Sequence, residues 1–225
     1  SFFAAPTMVR RLVEVARTRE QPAKGIETIV YGGGPMYLAD IEAAVEVIGP
    51  HFAQIYGQGE CPMSISVLQR CLIADHTHPQ WRDRLRSVGT AQSMVEVAVC
   101  DDDGCPLPAG ASGEICVRGD VVMAGYWNDP EATARAIRGG WLATGDVGCL
   151  DGHGFLYLLD RSKDLVISGG TNIYPREVEE ALLTHPAVAE VSVIGRADPE
   201  WGEVVVAYVV LQGEADATTL DACCL

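Results

Sequence analysis

Between Leu159 and Glu179 the chain reads Leu-Asp-Arg-Ser-Lys-Asp-Leu-Val-Ile-Ser-Gly-Gly-Thr-Asn-Ile-Tyr-Pro-Arg-Glu-Val-Glu. An alternating charged stretch enters an apolar strand, then a double glycine, then a helix that starts on proline. Pro175 stands where a first helical residue belongs, and Val178, Ala181 and Leu182 fall on one helical face. Packing alone does not require that order of charge, strand, turn and helix. It marks a junction, and the pattern on either side of it differs. We place the boundary at residues 160–161.

Upstream of it the first 90 residues follow an α/β grammar. Thr7 to Arg19 has apolar residues at 8, 9, 12, 13, 15 and 16, a helical spacing with Thr7 as the expected cap. Ile26 to Tyr31 reads as a buried strand, followed by Gly32-Gly33-Gly34-Pro35. A helix comes next, with Leu38, Ile41, Ala44, Val45 and Ile48 on one face, then a strand from Phe52 to Tyr56. Strand, loop, helix, strand predicts a parallel sheet. Residues 91–160 are β-rich instead, with strands expected at Met94–Val99, Gly113–Arg118 and Phe155–Leu159. Asp101-Asp102-Asp103-Gly104 and Asp151-Gly152-His153-Gly154 are the turns between them. Pro130 to Ile137 is one short helix. Past Arg161, strands at Val188–Ile194 and Glu203–Leu211 join the proline-started helix in a compact α+β unit. The fold class is thus α/β and α+β: a partial α/β sheet layer, a β-rich subdomain and a small C-terminal α+β domain.

With 48% hydrophobic residues in 225, a sizeable core is within reach. A net charge of -15 disfavours nucleic acid and anionic membrane surfaces as partners. The 8 cysteines show no CxxC pair and fit no zinc template; they read as small buried hydrophobes of a reducing compartment. His76-x-His78 lacks a third ligand. No signal peptide or membrane span is evident, so a cytoplasmic protein is expected. Both ends read as cut, inside the apolar run at Ser1–Pro6 and at a helix starting near Asp221–Leu225, so a piece of something longer is expected.

Three loops have chemistry in them. Gly32, Gly33 and Gly34 let a flat ligand lie against backbone, or simply make a tight strand-to-helix turn. Neither GxGxxG nor a phosphate loop ending in Gly-Lys-Ser/Thr is present there. Tyr56-Gly57-Gln58-Gly59-Glu60 also follows a strand, so both loops open at the carboxyl edge of one sheet, where such sheets bind ligands. Its aromatic ring can stack on a purine, and its carboxylate can hold a hard cation beside phosphates; an ordinary turn is the alternative. Thr144-Gly145-Asp146 offers a carboxylate that accepts from vicinal hydroxyls, or caps a local turn. Arg161 can meet the same sugar or a phosphate, or form a surface ion pair.

Taken in order, these loops, Gly125-Tyr126-Trp127-Asn128-Asp129-Pro130-Glu131-Ala132-Thr133 and the Arg161 to Glu179 run resemble the successive motifs of adenylate-forming enzymes. That superfamily comprises acyl-CoA synthetases, luciferases and peptide-synthetase adenylation domains. The resemblance covers nearly the whole chain and favours acid–CoA ligases through Ser168 to Pro175. It implies that a small-molecule carboxylic acid and ATP give an acyl-adenylate, which coenzyme A then takes up as a thioester. It implies that residues 1–160 end the large AMP-binding domain and 161–225 hold the hinge and part of the small one. Gly32, Gly33 and Gly34 would line adenine with Tyr56 stacked on it, beside Gly57 and Gly59. Glu60 would help hold Mg2+. Asp146 would bind the ribose hydroxyls, with Arg161 beside it, Lys163 would be the hinge, and Gly169 and Gly170 would lie along the path of CoA.

Three departures stand against the pattern. Gly59 replaces the usual Thr. The upstream Ser/Thr/Gly-rich phosphate loop with its Lys is absent, and so is the lysine near the family's C-terminus that meets the reacting carboxylate. These 225 residues alone are therefore not expected to turn over. Loading of a carrier protein, a luciferase-like fate of the adenylate, or a non-catalytic nucleotide-binding remnant are the alternatives. Residues near Tyr56 and Ser87 to Ala91 are expected pocket residues, and Met63, Ile65 and Val67 hint at an apolar acid, fatty or aryl.

Overall fold

The computed structural model describes residues 1–19 and 25–224. Leu225, expected in a terminal helix, lies outside the described residues. The elements in order are β1 (Phe2–Ala4), α1 (Pro6–Arg17), β2 (Ile29–Tyr31), α2 (Leu38–Ile48), β3 (Phe52–Gln58), β4 (Cys61–Leu68), α3 (Arg70–Ala74), α4 (Trp81–Arg86) and β5 (Thr90–Ala91). Then come β6 (Val95–Cys100), β7 (Ser112–Gly119), α5 (Pro130–Ala136), β8 (Ile137–Arg138), β9 (Trp141–Leu150) and β10 (Leu156–Arg161). The chain finishes with β11 (Val166–Ser168), β12 (Thr171–Ile173), α6 (Pro175–Leu183), β13 (Val188–Asp198), β14 (Gly202–Leu211) and α7 (Ala217–Asp221). They form two compact units, residues 1–144 with 148–158, and residues 145–147 with 159–225.

In the first unit one sheet has the order β1-β2-β3-β4-β5. The β1–β2 and β2–β3 pairs are parallel, as the strand–helix–strand reading requires, while β4 and β5 return antiparallel. The core on its helical side joins Val9 and Val13 of α1, Ile41, Ala44 and Val45 of α2, and Ile29, Tyr31 and Phe52 of the strands. The spacing of α1 overstates its buried face: Val9 and Val13 are buried, Met8 and Val15 exposed. The expected Thr7 cap is also corrected. The helix starts on Pro6, whose ring presets φ, with Ala5 at the cap position and no side-chain cap; the Met8 and Val9 N–H groups both donate to the Ala5 carbonyl instead.

A second sheet, β10-β9-β7-β6, carries β8 on β9. The two aspartate turns form as read. Asp101 Oδ1 accepts the N–H groups of Asp103 and Cys105, and Asp151 Oδ1 those of His153 and Phe155. Ile115, Val117, Leu142 and Leu156 fill the core beneath it.

The second unit has an antiparallel sheet, β12-β11-β14-β13. Helix α6 packs on β13, where Glu179 Oε1 accepts the N–H of Val193 at 2.9 Å, and Leu182 is buried. Tyr174 precedes Pro175 and offers no side-chain cap. Asp160 serves instead: its Oδ2 accepts from the Arg176 N–H at 3.2 Å while its Oδ1 accepts from Arg161 N–H. Among the described residues no helix is long and apolar enough to cross a membrane.

Candidate nucleotide site

Two of the predicted loops meet. Gly32 lies directly on β3, where an added Cβ would stand 2.4 Å from the Ile55 carbonyl oxygen. Gly57 is as tightly placed, 2.4 Å from Met63 N. Any side chain at either position would push the loop off the strand. A depression of about 250 Å³ opens between the two loops, lined among others by Phe3, Gly33, Ile55, Gly57, Gly59 and Met63.

Tyr56 is not among its lining residues. Alternation along β3 sends Phe52, Gln54 and Tyr56 to one face and Ile55 and Gly57 to the other. The Tyr56 ring is buried, 8% exposed, among Cys61, Ile65 and Val88. Of the three apolar residues read as hints of an apolar acid, Met63 lines the depression while Ile65 is fully buried in the core. The segment Ser87 to Ala91 is committed to backbone pairing: Val88 N–H donates to Leu156 O and Gly89 O accepts from Leu156 N–H, each at 2.8 Å.

Glu60 follows directly, half-buried. One of its oxygens, Oε1, accepts from the Tyr126 hydroxyl at 2.6 Å, and its main-chain carbonyl accepts from Met123 N–H at 2.8 Å. Gln58 reaches the other way, donating to the Thr144 carbonyl at 3.1 Å. Among the described residues no cluster of metal-ligating side chains could hold an ion unaided. A single carboxylate fits Mg2+ that arrives on phosphates and keeps most of its waters.

In the second unit Asp146 and Arg161 come together. The Asp146 Oδ1 to Arg161 Nε distance is 3.4 Å, with the carboxylate nearly buried and the guanidinium largely exposed. Ser162 fixes this corner, its N–H and hydroxyl both donating to the Gly145 carbonyl, at 3.0 and 3.1 Å. Lys163 is exposed in the turn closed by the Asp164 N–H bond to Arg161 O. Gly169 and Gly170, at φ 56 and 83, form the two-residue turn of the β11–β12 hairpin, in which Ser168 pairs with Thr171. That turn accounts for both glycines on construction alone. Gly169 has a further constraint, since a Cβ there would meet the Trp201 ring at 2.9 Å. Gly170→Ala should therefore lower stability by about 1 kcal/mol, and Gly169→Ala by about 2–3 kcal/mol. Thermal unfolding of the two variants distinguishes them, and equal losses would remove the Trp201 contact from the argument.

Sequence reasoning missed Tyr126 as the partner of Glu60 and Asp160 as the cap of α6. No local signal exists for the first. For the second the signal is negative: a proline-started helix with no Ser, Thr, Asp or Asn before it must find its cap elsewhere.

A fold with two glycine loops at one sheet edge and a carboxylate–guanidinium corner is that of the adenylate-forming enzymes. The chain matches the family model described as AMP-binding enzyme over residues 1–127, and that of the AMP-binding enzyme C-terminal domain over residues 177–223. The chain belongs to the AMP-binding enzyme family. It is 41% identical over 210 residues to a medium/long-chain-fatty-acid–CoA ligase of Mycobacterium tuberculosis, covering 93% of this chain and 36% of that protein. The amide bond synthetase of Marinactinospora thermotolerans superposes with a TM-score of 0.87 at 38% identity, over 99% of this chain and 44% of that one. The o-succinylbenzoate coenzyme A synthetase of Bacillus subtilis, solved with ATP and magnesium ion, gives 0.82 at 38% identity, over 100% and 44%. The chain thus spans about two fifths of the length of the relatives it matches.

Proposed function

We propose that these residues belong to an ATP-dependent carboxylic acid–CoA ligase acting on a fatty or aryl acid. In the first step a carboxylate oxygen attacks the α-phosphorus of ATP, and the bond to pyrophosphate breaks. In the second the CoA sulfur attacks the acyl carbonyl and AMP leaves. The carboxylate is already a nucleophile, so the protein's work is positioning and charge neutralisation. Gly32, Gly33, Gly34, Gly57 and Gly59 would give adenine a wall without side chains, with Tyr56 supporting it from the core. Asp146 would accept from the ribose hydroxyls, with Arg161 beside it. Glu60 would orient toward the Mg2+ that ATP brings, a cation that neutralises phosphate charge. Lys163 would be the hinge residue, and Gly169 and Gly170 would border the path of CoA.

The observation that carries this reading is the depression between the two glycine loops. Apolar lining by Phe3, Ile55 and Met63 supports an apolar acid. A cytoplasmic setting belongs to the same proposal, supported by eight cysteines without a disulfide. Calorimetry with AMP tests the site in this chain. Saturable binding with one AMP per chain is expected, and no heat at millimolar AMP would end the reading. The likeness to an amide bond synthetase favours a second acceptor, an amine. In the protein carrying these residues, thioester formed with CoA supports the ligase, and amide formed from an added amine with no thioester supports the other.

A further inference from the structure

The glycine-to-threonine segment at 125–133 is built around one side chain that the proposed function does not use. Gly125, at φ 152, lies so close to Thr133 that a Cβ would meet its side chain at 2.7 Å. Thr133 Oγ1 accepts from the Tyr126 N–H at 2.9 Å and donates to the Asp129 carbonyl at 2.8 Å. Asp129 Oδ1 in turn accepts from Ala132 N–H at 2.8 Å and caps α5. Asn128 takes the left-handed conformation, φ 53, to turn the chain between them. The product of this bracing is a phenol held 2.6 Å from one oxygen of Glu60. The carbonyl of Glu60 is held by the N–H of Met123, two residues before that segment.

We propose that Tyr126 is a positioning residue: its hydroxyl donates to Oε1 of Glu60 and so directs Oε2 toward the magnesium of a bound magnesium–nucleotide. This rests on the nucleotide reading above. A carboxylate on a turn has free rotation about its side-chain bonds, and a fixed donor on one oxygen selects one orientation. The arrangement is that of an outer group aiming a ligand, with the hydroxyl 66 positions along the chain from the carboxylate it aims.

The test is binding of ATP to the 225-residue chain by calorimetry, in magnesium and again in EDTA. The ratio of the two affinities measures what the cation adds. Tyr126→Phe should lower that ratio about tenfold and leave the EDTA affinity unchanged, since one hydrogen bond to a charged group is lost. Glu60→Gln should lower it at least as much, and the double variant no further. Thr133→Val keeps the phenol but frees the Tyr126 N–H, and should give an intermediate loss; it also serves if Tyr126→Phe does not fold. Wild-type behaviour of both Tyr126→Phe and Thr133→Val beside a weakened Glu60→Gln would overturn the inference and leave the nucleotide reading standing. Equal losses with and without magnesium would make Tyr126 merely structural and overturn it too. No nucleotide binding by the wild-type chain would end both.

Discussion

Asp146→Ala is expected to weaken AMP binding by at least about a hundredfold, and at accessible concentrations to abolish it. Two hydroxyls of a ribose donate to one carboxylate in the proposed complex, and each such bond to a charged group is worth about 1.5–3 kcal/mol. The fold should tolerate the change. Arg161 loses its partner, but its side chain is 58% exposed, and exposed ion pairs contribute little. An unchanged thermal midpoint beside lost affinity would assign the effect to binding. Asp146→Asn should fall between, keeping one acceptor oxygen and losing the charge. Equal affinity in wild type and Asp146→Ala would take Asp146 out of the site.

The second large effect is on the fold. Gly89→Ala should destabilise the chain by about 4 kcal/mol or more, a loss confined to a few mechanisms. A Cβ there would stand 2.0 Å from Val67 O, 2.1 Å from Val67 C and 2.3 Å from Leu68 N, with φ at 83. All three atoms are backbone of β4, so nothing flexible can move aside. Gly89 also joins the two sheets of the first unit through its bond to Leu156. Gly154 is the matched control, with φ 82 and nothing within 4 Å of its would-be Cβ. Gly154→Ala should lose only about 1 kcal/mol. Urea unfolding of both variants reads the difference, and similar midpoints would show that backbone conformation, not contact, dominates at Gly89.

How much of this was legible follows from where each signal is stored. The parallel β2–α2–β3 unit was readable because its apolar spacing is local. So were the aspartate turns, whose side chains bond to backbone two and four residues on. Strand β4 was not read as a strand. Pro62 near its start argues against a strand, and Met63 at φ 54, beside the irregular register between Tyr56 and Gln58, is the local bend that accommodates it. The Thr7 cap failed because the helix begins on Pro6, which puts Thr7 inside its first turn.

In the candidate site the loops were legible as residue types, but their contacts were not. Nothing near Tyr56 says that its ring enters the core; only the alternation of β3, once the strand is known to reach Gln58, does so. Tyr126 and Glu60 lie far apart in sequence, and no spacing rule connects a tyrosine before an exposed tryptophan to a carboxylate after a glycine turn.

The hairpin at Gly169–Gly170 has a twin. Gly139 and Gly140 show the same φ values, 56 and 83, between β8 and β9, with Arg138 paired to Trp141. Around the Gly139 and Gly140 pair there is open space, so Asn-Gly or Asp-Gly would serve as well. A library randomised at both turns and sorted for folded protein should therefore return mixed dipeptides at 139–140. At 169 it should return glycine alone, because there the indole of Trp201 occupies the room an asparagine would need.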